Sequence, residues 1–196
     1  MTSTTLWTSD LFIGKLVRLA APSEDEKAAF ARWSTDPDYL RHLDDDPVRP
    51  MAAEHFTLPR KEGASNSFEF RIRTLADDKL IGFVVLFSIK WNNGACTLAI
   101  GIGEPDFRGK GYGTDALNLA VGFAFRELNL HRVGLTVISY NAAAIRAYER
   151  VGFVQEGVRR EAIHRDGKRY DEILMGILRA EWEQRSQSEV QHGHAG

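Results

Sequence analysis

Apolar and polar positions alternate over residues 14–21 (GKLVRLAA) well enough for a first strand, which Pro22-Ser23 ends. Ser23, with Glu26 three positions on, has the form of a capping box, and Ala28, Ala29, Phe30 and Trp33 supply the helical stripe behind it. Asp36-Pro37 reads as the break of that helix. Residues 43–50 (LDDDPVRP) read as an acidic loop stiffened by two prolines, and 51–62 as a short second helix. The period then changes to two. Residues 68–74 (FEFRIRT) alternate strictly, and Ala76-Asp77-Asp78-Lys79 reads as a hairpin turn. Residues 80–91 (LIGFVVLFSIKW) run apolar without interruption, as a central strand covered on both faces must. After Asn92-Asn93-Gly94, residues 95–103 (ACTLAIGIG) give the third strand of an antiparallel meander.

The period next becomes helical. Ala116, Leu117, Ala120, Val121, Ala124 and Leu128 repeat at three- and four-residue spacing over 111–128, an amphipathic helix. Residues 132–139 (RVGLTVIS) form a strand, and strand–helix–strand order demands a right-handed crossover to a parallel neighbour. A second amphipathic helix covers 141–151. Residues 153–164 and 169–178 flank Arg165-Asp166-Gly167-Lys168, whose Asp-Gly pair is a hairpin signal. The pattern predicts an α+β fold: a mixed, mostly antiparallel sheet of about seven strands with helices on both faces. One domain is expected over 11–183, with 1–10 and the polar stretch 184–196 as flexible termini.

Composition narrows the class. A chain of 196 residues with 43% apolar and 27% charged residues can bury a full core, which excludes wholesale disorder. A single cysteine, Cys96, excludes a disulfide framework and a cysteine-rich zinc site, and fits a reducing compartment. No His spacing suggests a metal. A net charge of −2 offers no basic footprint for nucleic acid. No apolar run approaches the roughly 18–20 residues of a membrane span, and residues 1–10 lack a signal-peptide pattern. The expected setting is cytoplasmic, without nucleic-acid or membrane partners.

The stretch Arg108-Gly109-Lys110-Gly111-Tyr112-Gly113-Thr114, between a strand and a long helix, carries the chemistry. Alternate glycines let backbone approach a ligand, and the helix N-terminus favours an anion. A Walker A loop needs four residues between its glycines; five separate Gly103 from Gly109, and Gly111 follows Lys110. A dinucleotide fingerprint needs G-x-G-x-x-G; here the spacing is G-x-G-x-G and it follows a meander. What fits is Arg108-x-x-Gly111-x-Gly113, which resembles the pyrophosphate-binding signature of the GNAT superfamily of acyl-CoA-dependent N-acetyltransferases. The resemblance continues through Asn141-x-x-Ala144-x-x-x-Tyr148-x-x-x-Gly152-Phe153. With Glu156-Gly157, Asp166-Gly167-x-x-Tyr170-Asp171 and Met175, the ending resembles the RimJ/RimL-type subgroup and the polyamine acetyltransferases. It covers roughly residues 16–182, and it implies acetyl-CoA as co-substrate, no metal, and a splayed parallel strand pair holding the acyl-CoA.

The resemblance implies that Gly101, Ile102 and Gly103 offer backbone to pantetheine and the thioester carbonyl. Arg108, Gly109, Lys110, Gly111, Tyr112, Gly113 and Thr114 would hold the pyrophosphate. Gly101 and Gly103 also lower the barrier to a bulge at Ile102. Asn141 and Tyr148 are seven residues apart, so about 700° of helix brings them to nearly one face. The resemblance gives Asn141 the pantetheine arm and Tyr148 the protonation of the leaving thiolate; the same positions also suit an N-cap and a core aromatic. Glu104 stands beside the loop as a base for the amine, with Glu69 a second candidate that also reads as plain surface. Asp44, Asp45 and Asp46 would attract a cationic acceptor, or form a solvated loop. One cysteine at the start of its strand favours direct attack in a ternary complex over an acyl-enzyme. The resemblance implies a primary amine as acceptor, on a small molecule or a protein N-terminus. A non-catalytic acyl-CoA-binding module on the same fold is the alternative, and the subgroup implies a homodimer although no interface patch stands out.

Overall fold

The computed structural model describes residues 11–56 and 66–193. Seven strands form one sheet: β1 (Val17–Ala20), β2 (Phe68–Thr74), β3 (Leu80–Lys90), β4 (Ala95–Ile102), β5 (Arg132–Ile138), β6 (Val154–Arg165) and β7 (Lys168–Leu178). Their order is β1-β2-β3-β4-β5-β7-β6. Every neighbouring pair is antiparallel except β4 and β5, joined in parallel through helix α3 (Tyr112–Arg126). The α+β architecture read from the pattern is therefore present, with each strand within a few residues of its expected place.

Alternation decides which face each strand buries. Val17, Ile72, Val84, Leu86 and Leu98 meet Ala116, Leu117, Ala120, Val121 and Ala124 of α3 in one core. Burying a side chain such as Leu117 stabilises the fold by about 1.5–3 kcal/mol. Helix α4 (Ala142–Val151) covers the same core through Tyr148 and Val151. On the opposite face lie α1 (Lys27–Trp33) and α2 (Pro37–Leu43), around a smaller cluster of Trp33, Tyr39 and Leu40. Buried Glu26 ties this layer to the sheet, accepting from Arg71 Nε at 2.8 Å and from Arg73.

Three readings change. Asp36-Pro37 does end α1, but it also starts α2: the Asp36 carboxylate accepts from the Asp38 and Tyr39 N–H groups at 3.0 and 3.1 Å, with Pro37 at the first helical position. That N-cap chemistry suits Asp-Pro as well as a break does. The helix expected over 51–62 is only a 3₁₀ turn, Ala53–His55, and residues 57–65 lie outside the described part. The stretch from 184, read as a polar tail, continues α5 (Arg179–Gly193), whose Trp182 packs on Phe125 with ring centroids 5.6 Å apart. No described helix is long and apolar enough to cross a membrane.

Candidate active site

Strands β4 and β5 pair only over Ala95–Thr97 and Arg132–Gly134. Beyond that point the ladder ends, and among the described residues β3 is the only strand partner of residues 98–102. Unpaired backbone inside a protein calls for a partner. A cavity of about 600 Å³ fills the wedge, with Leu98–Ile102 on one wall and Thr136–Ile138 on the other. Its size and its free strand edge suit an extended ligand bearing amide groups of its own.

At the head of the cavity the chain turns into α3. Gly109 and Gly111 take φ of 70° and 91°, left-handed values that a residue with a Cβ adopts at a cost. Gly109, Gly111, Gly113 and Thr114 line the cavity at the N-terminus of this fifteen-residue helix, where backbone N–H groups and the helix dipole favour an anion. Lys110 is exposed and Tyr112 packs edge-on against Phe107, so neither is part of the lining. Arg108 is in the lining, but its guanidinium is engaged within the chain. It donates to the Ile102 and Gly103 carbonyls at 2.9 and 2.7 Å and twice to Asp36 Oδ2 at 3.0 Å. The arginine expected to grip an anion thus buckles the end of β4 to the start of α2.

The glycines of β4 have a different use from the one expected. Pairing with β3 runs regularly through Gly101 and Ile102; the register shift lies between Phe87 and Lys90, beside Ser88 at φ 51°. No bulge forms at Ile102 in this ladder. The glycines make room instead. A Cβ on Gly101 would stand 2.5 Å from Tyr39 Oη, and one on Gly103 would overlap the Trp33 ring at 2.0 Å. Gly101 and Ile102 line the cavity; Gly103 is covered by Trp33 and does not.

The opposite wall is α4. Asn141 Oδ1 caps it through the Ala144 N–H at 3.2 Å, and Nδ2 donates across the cleft to the His42 carbonyl at 3.0 Å. Tyr148, 7% exposed, faces the same space, and its hydroxyl has no hydrogen-bond partner among the described residues. Burial pushes its pKa up to about 12.

A family profile described as "Acetyltransferase (GNAT) domain" matches residues 17–154. The chain belongs to this family. Among curated proteins, the acetyltransferase is 33% identical over 150 residues to an uncharacterized prophage-derived N-acetyltransferase of Bacillus subtilis, covering 72% of this chain and 83% of that one. It is 35% identical over 112 residues to the spermidine N(1)-acetyltransferase of Vibrio cholerae, covering 57% and 64%. Its fold matches the crystal structure of spermidine N-acetyltransferase from Vibrio cholerae in complex with CoA and spermine, with TM-score 0.73, 23% identity, and coverage of 85% and 98%. The protein is an N-acetyltransferase, using acetyl-CoA to acetylate amines.

The remaining expected site residues divide. Asp44 and Asp45 line the cavity of the acetyltransferase; Asp46 does not, and its N–H closes a turn on Asp44 Oδ1 at 3.0 Å. Burial lifts the Asp44 pKa above the ordinary carboxylate range. Glu69 is paired with Arg71 and lines a separate apolar cavity beneath α1 and α2. Glu104 is not in the lining either. Its carboxylate accepts from Trp33 Nε1 at 2.9 Å and from Arg32, with Lys79 Nζ at 3.6 Å. Burial pushes its pKa up, but those hydrogen bonds and charges outweigh it and hold the group low. Glu104 therefore fastens α1 to the end of β4. Unexpected from the pattern were Tyr39, His42 and Glu172 in the lining. The first two come on α2, whose start signal was the Asp36-Pro37 pair; Glu172 sits in β7, where nothing in the pattern distinguishes it.

Proposed function

We propose that the acetyltransferase moves acetyl directly from acetyl-CoA to a cationic primary amine, both substrates lying together in the cavity between β4 and β5. The observation that carries this is the opened parallel pair, closed at one end by the glycine-rich start of α3 and flanked by the unpartnered hydroxyl of Tyr148. The free edge of β4 would hold the pantetheine arm, and Gly109, Gly111, Gly113 and Thr114 its pyrophosphate. The amine nitrogen attacks the thioester carbonyl carbon; the C–N bond forms and the C–S bond breaks. Tyr148 gives its proton to the departing sulfur, and the proton that the attacking nitrogen loses on becoming an amide returns through solvent to the Tyr148 oxygen. Cys96 supports direct transfer, since burial pushes its pKa up to about 12 and leaves no thiolate to carry an acyl group.

The ammonium must lose a proton before it attacks. His42 is suited to accept it. Its Nδ1 lies 2.7 Å from the Asp38 carbonyl, which can only accept, so in the neutral ring Nδ1 carries the hydrogen and Nε2 the lone pair. Asp44 and Asp45 at the same cavity support a positively charged acceptor, and the likeness to spermidine acetyltransferases supports a polyamine among them. Thiol release from acetyl-CoA, measured across polyamines, aminoglycosides and N-terminal peptides, tests the reading. Amine-dependent release, fastest with polycations and with KM raised by Asp44→Asn or Asp45→Asn, is expected. Tight acetyl-CoA binding with no release across the panel would leave the non-catalytic binding module in its place.

A further inference from the structure

We propose that Tyr39 is a second catalytic donor of this acetyltransferase, its hydroxyl set to hydrogen-bond the thioester carbonyl oxygen of acetyl-CoA bound in the cavity. The inference rests on the reading that this cavity holds the thioester, and it starts from a hydroxyl at the cavity wall that no described residue bonds. Tyr39 is 8% exposed and lines the cavity, yet its hydroxyl makes no hydrogen bond to any described residue. A hydroxyl that opens on a cavity and is bonded by no described residue is available to whatever the cavity holds.

Its position is specific. The hydroxyl sits against Gly101, so close that a Cβ there would meet it at 2.5 Å. Gly101 lies on the stretch of β4 that has lost its β5 partner. Three constraints hold the ring in place. Asp36 caps the turn that carries Tyr39, the Arg108 guanidinium lies over its face at 5.1 Å from the centroid, and Trp33 packs edge-on at 6.4 Å. The hydroxyl is thus fixed before any ligand arrives, which is the condition under which a donor stabilises charge that develops during reaction.

Two acceptors could take its hydrogen, and chemistry separates them. A bond to the lone pair of the attacking amine would block the attack. A bond to the carbonyl oxygen strengthens as that oxygen gains negative charge. Burial pushes the Tyr39 pKa well above that of free tyrosine, so the group remains a donor throughout the working pH range. Tyr39 from α2 and Tyr148 from α4 then approach the two ends of the breaking thioester, oxygen and sulfur, from opposite walls.

The test uses infrared difference spectra of acetyl-CoA, ¹³C-labelled at the thioester carbonyl, bound without any amine, together with steady-state rates. The carbonyl band of the bound thioester is expected at lower frequency in the wild-type protein than in Tyr39→Phe, and at the wild-type frequency in Tyr148→Phe. Tyr39→Phe should lower kcat at least about tenfold and change KM for acetyl-CoA less than about threefold, with no loss of melting temperature. Equal band positions in wild type and Tyr39→Phe overturn this inference and leave the proposed function standing. Absence of a bound band at saturating acetyl-CoA overturns both.

Discussion

Asp36 and Arg108 meet at 3.0 Å, the carboxylate accepting from both terminal nitrogens of the guanidinium while its other oxygen caps α2. The pair links the signature loop to the helix that carries Tyr39 and His42. Burial raises the Asp36 pKa, but the Tyr39 N–H and Arg108 outweigh it, and the net shift is downward. A depressed folded pKa contributes stability above the unfolded value, lost as pH falls through the folded one. Asp36→Asn should therefore flatten the acid limb of the stability curve below about pH 4. Asp36→Ala should also lose the cap, at about 1 kcal/mol. Urea melts across pH 2.5–7 measure both; parallel wild-type and Asp36→Asn curves would show that the pair adds nothing.

Tyr148→Phe keeps the ring against Phe153, with its centroid at 5.8 Å, and removes only the proton donor. Positioned acids contribute about 10²–10⁴-fold, so kcat should fall by at least about tenfold with the melting temperature unchanged. The pKa near 12 adds a second expectation. The hydroxyl stays protonated through pH 10, and the wild-type rate should not decline between pH 9 and 10.5 through ionisation of this group. An alkaline limb centred near 10 that disappears in Tyr148→Phe would contradict that.

Glu104 and His42 can be separated by rate. Glu104→Gln keeps an acceptor for Trp33 Nε1 but loses the charge facing Arg32 and Lys79. It should retain kcat within about threefold and lose stability above pH 5, where the low-pKa carboxylate contributes most. His42→Gln should retain stability and lose at least about tenfold in kcat/KM at neutral pH, with partial recovery as rising pH deprotonates the free amine. A collapse of rate in Glu104→Gln with His42→Gln unaffected would return the base to Glu104.

What the pattern revealed and what it hid follow one physical line. Local chemistry was readable: FEFRIRT forms β2 from its first residue to its last, and Gly109 and Gly111 take left-handed φ while Gly113 lies within α3. Partners distant in sequence were not. Whether Arg108 would face a ligand or Asp36, seventy-two positions away, depends on how α2 lands on β4. Likewise, the glycines at 101 and 103 read as a place for a bulge, and only packing shows that Tyr39 and Trp33 come close to them. Tyr39 and His42 were hidden because Asp36-Pro37 signals a break and a start in the same letters.

Asn141 joins two tasks that substitutions can split. Its oxygen caps α4 and its amide nitrogen bonds the His42 carbonyl across the cleft. Aspartate caps a helix as well as asparagine does, and its charge suits an N-terminus, but it has no N–H to give His42. Asn141→Ala should cost about 1 kcal/mol for the lost cap, and Asn141→Asp should stay closer to wild type in thermal melts. Both variants lose the Asn141 bond to the His42 carbonyl, leaving the Tyr140 hydroxyl on the Arg41 carbonyl beside it. If the bridge holds His42 where an acceptor proton is taken, both should therefore lose kcat/KM for the amine to a similar degree, despite their different stabilities. An Asn141→Asp variant as active as wild type would show that the cap alone matters and that the contact between the walls does not set the geometry of the site.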